Sequence, residues 1–204
     1  MSRRLLLFCL TLAIYHSLSF GQLKDKYNTI TESIDEDELS YNKNCQNTIY
    51  YDKRKDSIAN NVFFFIYGKK KDIYNSILYE SAGLILSGKK EGWWVLDYLK
   101  FDSNNNKIAK HEFYKNGFIE NLKICVFYKE TDSLLKILYQ TNFKNGTGYY
   151  KDYNRYGKVI AEGNYKDGCK DKWWKYYNDK GYLIRKEKYN KGVLKKTLTY
   201  QPKE

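Results

Sequence analysis

The side chains able to do chemistry are few, and most recur in a pattern. The 204-residue chain has two histidines, His16 and His111, and four cysteines, at positions 9, 45, 125 and 169. Two histidines are too few for a histidine-rich metal site, and no cysteines have zinc-ligand spacing. There is no Gly-x-Ser-x-Gly elbow, no His-Glu-x-x-His helix and no phosphate-cradling glycine loop. Gly146-Thr147-Gly148 lacks the third glycine and following helix of a nucleotide loop, so it reads as a turn. His111 precedes Glu112 in a strand-like run, which sends their side chains to opposite faces. The remaining acids, Glu112, Glu162 and Glu187, recur with a longer repeat, which suits cross-strand pairing with lysines better than acid–base catalysis. No catalytic residue, metal or cofactor is expected, and the reading is of a non-enzyme.

More informative are the paired aromatics beside lysines. Trp93-Trp94, Tyr149-Tyr150 and Trp173-Trp174 occupy similar slots, with Lys172 and Lys175 flanking the last pair. Neighbours on a strand face opposite sides, so one member of each pair braces the sheet and the other is displayed or packs on the second face. A displayed row of aromatics and lysines suits a peptide, a glycan or an anionic headgroup. It also suits nucleic acid, but the export signal described below argues against that partner.

The elements positioning these residues follow from an internal repeat. Aromatic–Lys–x–Gly occurs at Tyr114–Gly117, Phe143–Gly146 and Tyr165–Gly168, with a variant at Tyr189–Gly192 and a degenerate copy at Ser87–Lys89. Asn106, Gly157 and Gly181 each precede the next repeat glycine by 11 residues. Asn and Gly tolerate the positive φ of tight turns, so Asn106, Gly117, Gly146, Gly157, Gly168, Gly181 and Gly192 are expected at turns. Tyr, Trp, Ile, Val and Thr fill the runs between them, as strands require. Glu162 stands one place early in its copy, which a one-residue bulge would explain. The expected fold is all-β: an elongated single-layer antiparallel meander of stacked β-hairpin repeats.

Residues 88–94, 145–150, 162–168 and 172–181 together resemble the MORN-repeat family, in the variant form of bacterial antitoxin-like proteins. The resemblance covers roughly residues 85–200. It implies a stacked-hairpin architecture shared by scaffold, membrane-tethering and antitoxin-like proteins, and fold does not fix function. The Trp-Trp slot reads Leu122-Lys123 in one copy, a departure from the pattern.

Composition sets the surroundings. Tyrosine occurs 22 times and proline once, the net charge is +12, and the mean hydropathy is −0.74, which together exclude a disordered chain and a multi-span membrane protein. Residues 1–21 read as an export signal: Arg3 and Arg4, an apolar run to Phe20, then Ser19 and Gly21 before a cut at Gln22. No transmembrane span is expected after cleavage. Residues 22–60 are slightly acidic and are expected as a polar, partly ordered leader whose run Asp35–Glu38 is solvated. Residues 61–200 form the repeats, with 28 bases against 16 acids to the end of the chain, and 201–204 a tail. Cys45, Cys125 and Cys169 would remain after export. An odd number leaves at least one thiol unpaired, and the alternatives are buried or free thiols or a Cys125–Cys169 bridge. The functional expectation is an exported scaffold, periplasmic, outer-membrane-associated or secreted, that binds a protein partner. An antitoxin or immunity-like role, or binding to anionic lipid or envelope polymer, is the alternative.

Overall fold

The computed structural model describes residues 30–58, 62–69, 77–98, 106–128 and 133–201. The expected export signal, residues 102–105 of the expected 102–106 turn, and most of the tail lie outside the described residues. The strands are β1 (Ile30–Asp35), β2 (Leu39–Ser40), β3 (Tyr51–Asp52), β4 (Ser57–Ile58), β5 (Val62–Lys69), β6 (Ile77–Leu86), β7 (Lys89–Tyr98) and β8 (Asn106–Lys115). There follow β9 (Phe118–Tyr128), β10 (Leu134–Asn142), β11 (Gly148–Tyr153), β12 (Val159–Lys166), β13 (Cys169–Tyr177), β14 (Leu183–Asn190) and β15 (Val193–Thr199). The fold is all-β, and one 3-10 turn at Glu36–Glu38 interrupts the strands.

The turns carry the hairpins. Ser87-Gly88, Asn116-Gly117, Asn145-Gly146, Asp167-Gly168 and Lys191-Gly192 all have positive φ at both residues. That is the type I′ geometry matching the right-handed twist of the flanking strands. At the opposite end, Asn154 and Asn178 accept two backbone N–H groups each through their side-chain oxygens, which folds the chain back at Gly157 and Gly181. Asn106, expected at a turn, instead begins β8.

The strands do not form one continuous meander. Strands β5 to β10 run antiparallel in sequence order, but β1 joins the edge of β5 in parallel, giving seven strands. Strands β11 to β15 form a second, five-stranded sheet. The break follows the Asn145-Gly146 turn, where pairing stops after the Lys144–Thr147 bridge. There the buried Phe143 ring lies against the bare backbone of Gly148, where a β-carbon would sit 2.5 Å from it.

The leader is part of the fold. Residues 39–58 supply a small sheet, β2-β3-β4, and Ile34, Leu39 and Tyr50 enter the same buried cluster as Trp94, Leu122, Tyr150 and Trp174. Between Asn44 and Tyr50 the chain runs as a strap across the row of I′ turns. Gln46 N–H donates to Gly168 O at 2.6 Å, and Tyr50 N–H donates to Gly88 O at 2.7 Å. Gln46 Oε1 accepts from Ile119 N–H at 3.1 Å. Cys45 is bonded to Cys169, not Cys125 to Cys169, and Cys125 is a buried free thiol. The turn glycines thus have a second reason to be glycine: a β-carbon at 192 would lie 2.7 Å from Cys45 Sγ, and one at 117 would lie 2.8 Å from Asn47 Oδ1. The acidic run is partly engaged as well, since Glu36 meets Lys43 and Glu38 meets Arg54.

Candidate functional site

The paired aromatics divide between two faces. Trp94 and Trp174 are each 1% exposed and Tyr150 is 8% exposed, whereas Tyr149 and Trp173 are 38% and 37% exposed. Trp93 is half-buried against Phe113, ring centres 5.2 Å apart. A bulge precedes the inward tryptophan in both strands. Between the Ala82–Val95 and Leu84–Glu91 pairs, β7 runs two residues longer than β6, and β13 exceeds β12 by the same two residues between Glu162–Lys175 and Asn164–Asp171. Gly92 and Lys172 take left-handed backbone in these bulges, φ 68° and 58°. A two-residue excess preserves the alternation. The indole then lies on a glycine of the neighbouring strand, Gly83 or Gly163, and its N–H donates to the carbonyl one residue on, Leu84 O at 3.1 Å or Asn164 O at 3.0 Å.

Strand β9 lacks this device. Between Tyr114–Ile119 and Phe113–Asn121 it has one extra residue, which reverses the faces. Leu122 is therefore the buried member and Lys123 the outward one, the reverse of the order in the tryptophan pairs. Glu162 lies on the face opposite Glu112 and Glu187, because its neighbour Gly163 faces Trp174; the bulge beside it belongs to β13 and does not restore it to their face.

On the inner face, two matching clusters surround the tryptophans. In the first, the Lys90 ammonium stands 4.3 Å from the Trp94 ring centre and 5.0 Å from that of Tyr114. Lys110 Nζ lies 3.6 Å from Glu112 Oε1 and 3.5 Å from Asp152 Oδ1, and it donates to Tyr150 OH at 3.0 Å. Tyr114 OH donates to Glu112 Oε2 at 3.0 Å. Burial pushes the Glu112 carboxyl up, but Lys110 and Lys90 beside it outweigh that and hold it below the usual carboxylate range. Burial pushes Lys90 down to about 8. Burial also works against the charge on Lys110, yet Asp152 and Glu112 lift it well above the ordinary lysine value. The second cluster repeats the plan with Lys170 over Trp174 and Tyr189, Arg185 Nε 3.1 Å from Glu187, and Tyr189 OH donating to Glu187 at 2.7 Å. In each, the carboxylate is held by a base and a tyrosine, so the arrangement braces the core. Lys110 and Asp152 are absent from the sequence-based candidates. A basic–x–Glu–x–Tyr motif at 110–114 and 185–189 is the signal that points to Lys110 and its counterpart Arg185.

The outer face of the five-stranded sheet differs. Glu162 accepts from Tyr177 OH at 2.7 Å and Lys175 Nζ at 3.3 Å, with Lys151 at 3.8 Å. Lys151 also stands over Tyr149 and Tyr139. Further along, Lys175 pairs opposite Lys186, and Trp173 opposite Lys188, which in turn pairs opposite Lys196. Like charges directly opposite each other are unfavourable in a sheet. This face therefore brings together Tyr149, Trp173 and Lys175. Lys172 sits exposed at the bulge, and Trp93 belongs to the other sheet. His111 stacks on Phe127 at 5.9 Å. No group of three or more His, Cys, Asp or Glu among the described residues could hold a metal, and no helix among them is long and apolar enough to cross a membrane. No protein-family model matches the chain, and no curated protein or solved structure matches it.

Proposed function

We propose that this chain is an exported, non-enzymatic MORN-like repeat protein that acts as an interaction scaffold in the cell envelope. The observation carrying the reading is the outer face of β13 to β15, where Trp173 stands exposed beside lysines paired opposite lysines. Exposed aromatics beside unneutralised charge are a surface made for a partner, since aromatic anchors commonly contribute ~2 kcal/mol or more at interfaces. In the inner clusters, by contrast, Glu112 and Glu187 are each held by a base and a tyrosine hydroxyl. A bridge between Cys45 and Cys169 suits an oxidising compartment and so supports export.

The test is capture of the partner from the native envelope fraction by the mature protein, with single tryptophan variants. Trp173→Ala should stay folded and capture less partner. Trp174→Ala should lose ~3–5 kcal/mol of stability, as truncation of a buried aromatic does. Equal capture by wild type and Trp173→Ala would remove this face from the reading. The lysine rows favour a second reading, attachment to an anionic envelope surface, which requires binding to fall steeply with salt.

A further inference from the structure

Strand β15 closes the five-stranded sheet, and among the described residues only β14 pairs with it. Its outer row of backbone N–H and C=O groups is open. Residues Val193 to Thr197 are all exposed, with Val193 at 55% and Leu194 at 47%. The strand's pairing places its side chains on defined faces. Leu194 and Thr197, opposite Tyr189 and Glu187, share the inner face, while Lys196, opposite Lys188, lies on the outer one. A register shift falls between these pairs, at Lys195. No carboxylate among the described residues pairs with Lys186, Lys188, Lys195 or Lys196.

We propose that the free edge of β15 receives an extended acidic polypeptide segment as a sixth strand, with carboxylates over the Lys188–Lys196 pair and apolar residues beside Leu194. Main-chain hydrogen bonds would supply affinity and alternate side chains specificity, as in other strand additions. Charge selects the occupant. Lysines on an edge repel a second copy of the same edge, so self-pairing is disfavoured, whereas a carboxylate opposite relieves the lysine–lysine repulsion already present in the sheet. The proposal rests on the scaffold reading but concerns the strand edge rather than the tryptophan face.

The experiment uses the intact, disulfide-bonded protein and a synthetic peptide of about seven residues alternating valine and glutamate, the length of β15. Binding is followed by amide hydrogen exchange. The expected result is that alternate amides of β15 slow by about tenfold or more on saturation, since edge amides otherwise exchange with little protection. Three controls should each bind about tenfold more weakly: a peptide N-methylated at alternate residues, a lysine-for-glutamate peptide, and the Lys188→Gln/Lys196→Gln protein with the original peptide. The double variant removes only exposed charge, so it should remain folded. Equal binding of the N-methylated peptides in both registers, or binding without slowed β15 amides, overturns the proposal. So does failure of the acidic peptide to bind, including the case where anionic phospholipid vesicles bind through Lys188 and Lys196 instead. Failure here leaves the tryptophan face to its own Trp173→Ala result.

Discussion

The indole of Trp174 rests directly on the backbone of Gly163, where a β-carbon would sit 2.5 Å from the ring. The same relationship joins Trp94 to Gly83, 80 residues earlier in both members. Each glycine makes room for the ring, and the Lys90 or Lys170 ammonium lies against that ring as well. Gly163→Ala should therefore destabilise by ~2–3 kcal/mol, the usual cost of forcing volume into a packed core. Gly181→Ala meets nothing within 4 Å and is strained only by its φ of 90°, so it should cost ~1–2 kcal/mol. Urea unfolding of both variants checks the ranking.

Lys172 occupies a bulge position that its counterpart fills with Gly92, and its φ of 58° is unfavourable for a residue with a β-carbon. Lys172→Gly should stabilise the protein by ~0.5–1 kcal/mol, the relief of left-handed strain less the added entropy of the unfolded chain. Gly92→Lys should do the reverse. A shift in urea midpoint at constant slope is the measure.

The bridge from Cys45 to Cys169 spans 124 residues and ties the strap to the first residue of β13. Reduction, or Cys45→Ser/Cys169→Ser, should lower stability by ~3–5 kcal/mol on the chain-entropy account. The buried Cys125 thiol should resist alkylation in the native protein and react once it is unfolded. Thermal melts with and without reductant, paired with alkylation mass spectrometry, test both statements.

The inner cluster gives stability a dependence on pH at two ends. The folded carboxyl of Glu112 titrates below its ordinary value, so its stabilisation is present above the unfolded value of about 4.3 and is lost as pH falls through the lower folded value. Glu112→Gln should remove that acid-side loss. Lys90 behaves oppositely, because burial among aromatic rings, with Glu112, Lys110 and Glu36 nearby, brings it to about 8. Between that value and the unfolded ~10.4 the unfolded chain binds more protons, so stability should rise with pH. The rise should be on the order of 1–2 kcal/mol, because Lys90 keeps some contact with solvent. Above pH ~10 the trend should reverse, because tyrosines in the unfolded chain ionise there while burial raises Tyr50, Tyr114 and Tyr150. Lys90→Met should flatten the rise between pH 8 and 10, as read by unfolding free energies across that range.

Local chemistry decides much of this protein before any tertiary contact forms. Asn-Gly and Asp-Gly pairs demand a positive-φ turn wherever they fall, and strand formers between them leave little but hairpins, so the all-β body and the turns at 117, 146, 157, 168, 181 and 192 are legible residue by residue. The two-faced character of the aromatic pairs is legible for the same reason, because alternation is a property of the strand itself. Which member of a pair turns inward is not, since it depends on how many extra residues a bulge inserts against the partner strand: two in β7 and β13, one in β9. The parallel pairing of β1 with β5 and the strap that carries Cys45 to Cys169 are decided by tertiary structure alone. Each joins segments whose composition does not reveal the contact, and only packing of the polar leader's few apolar residues, Ile34, Leu39 and Tyr50, into the shared core brings those segments together.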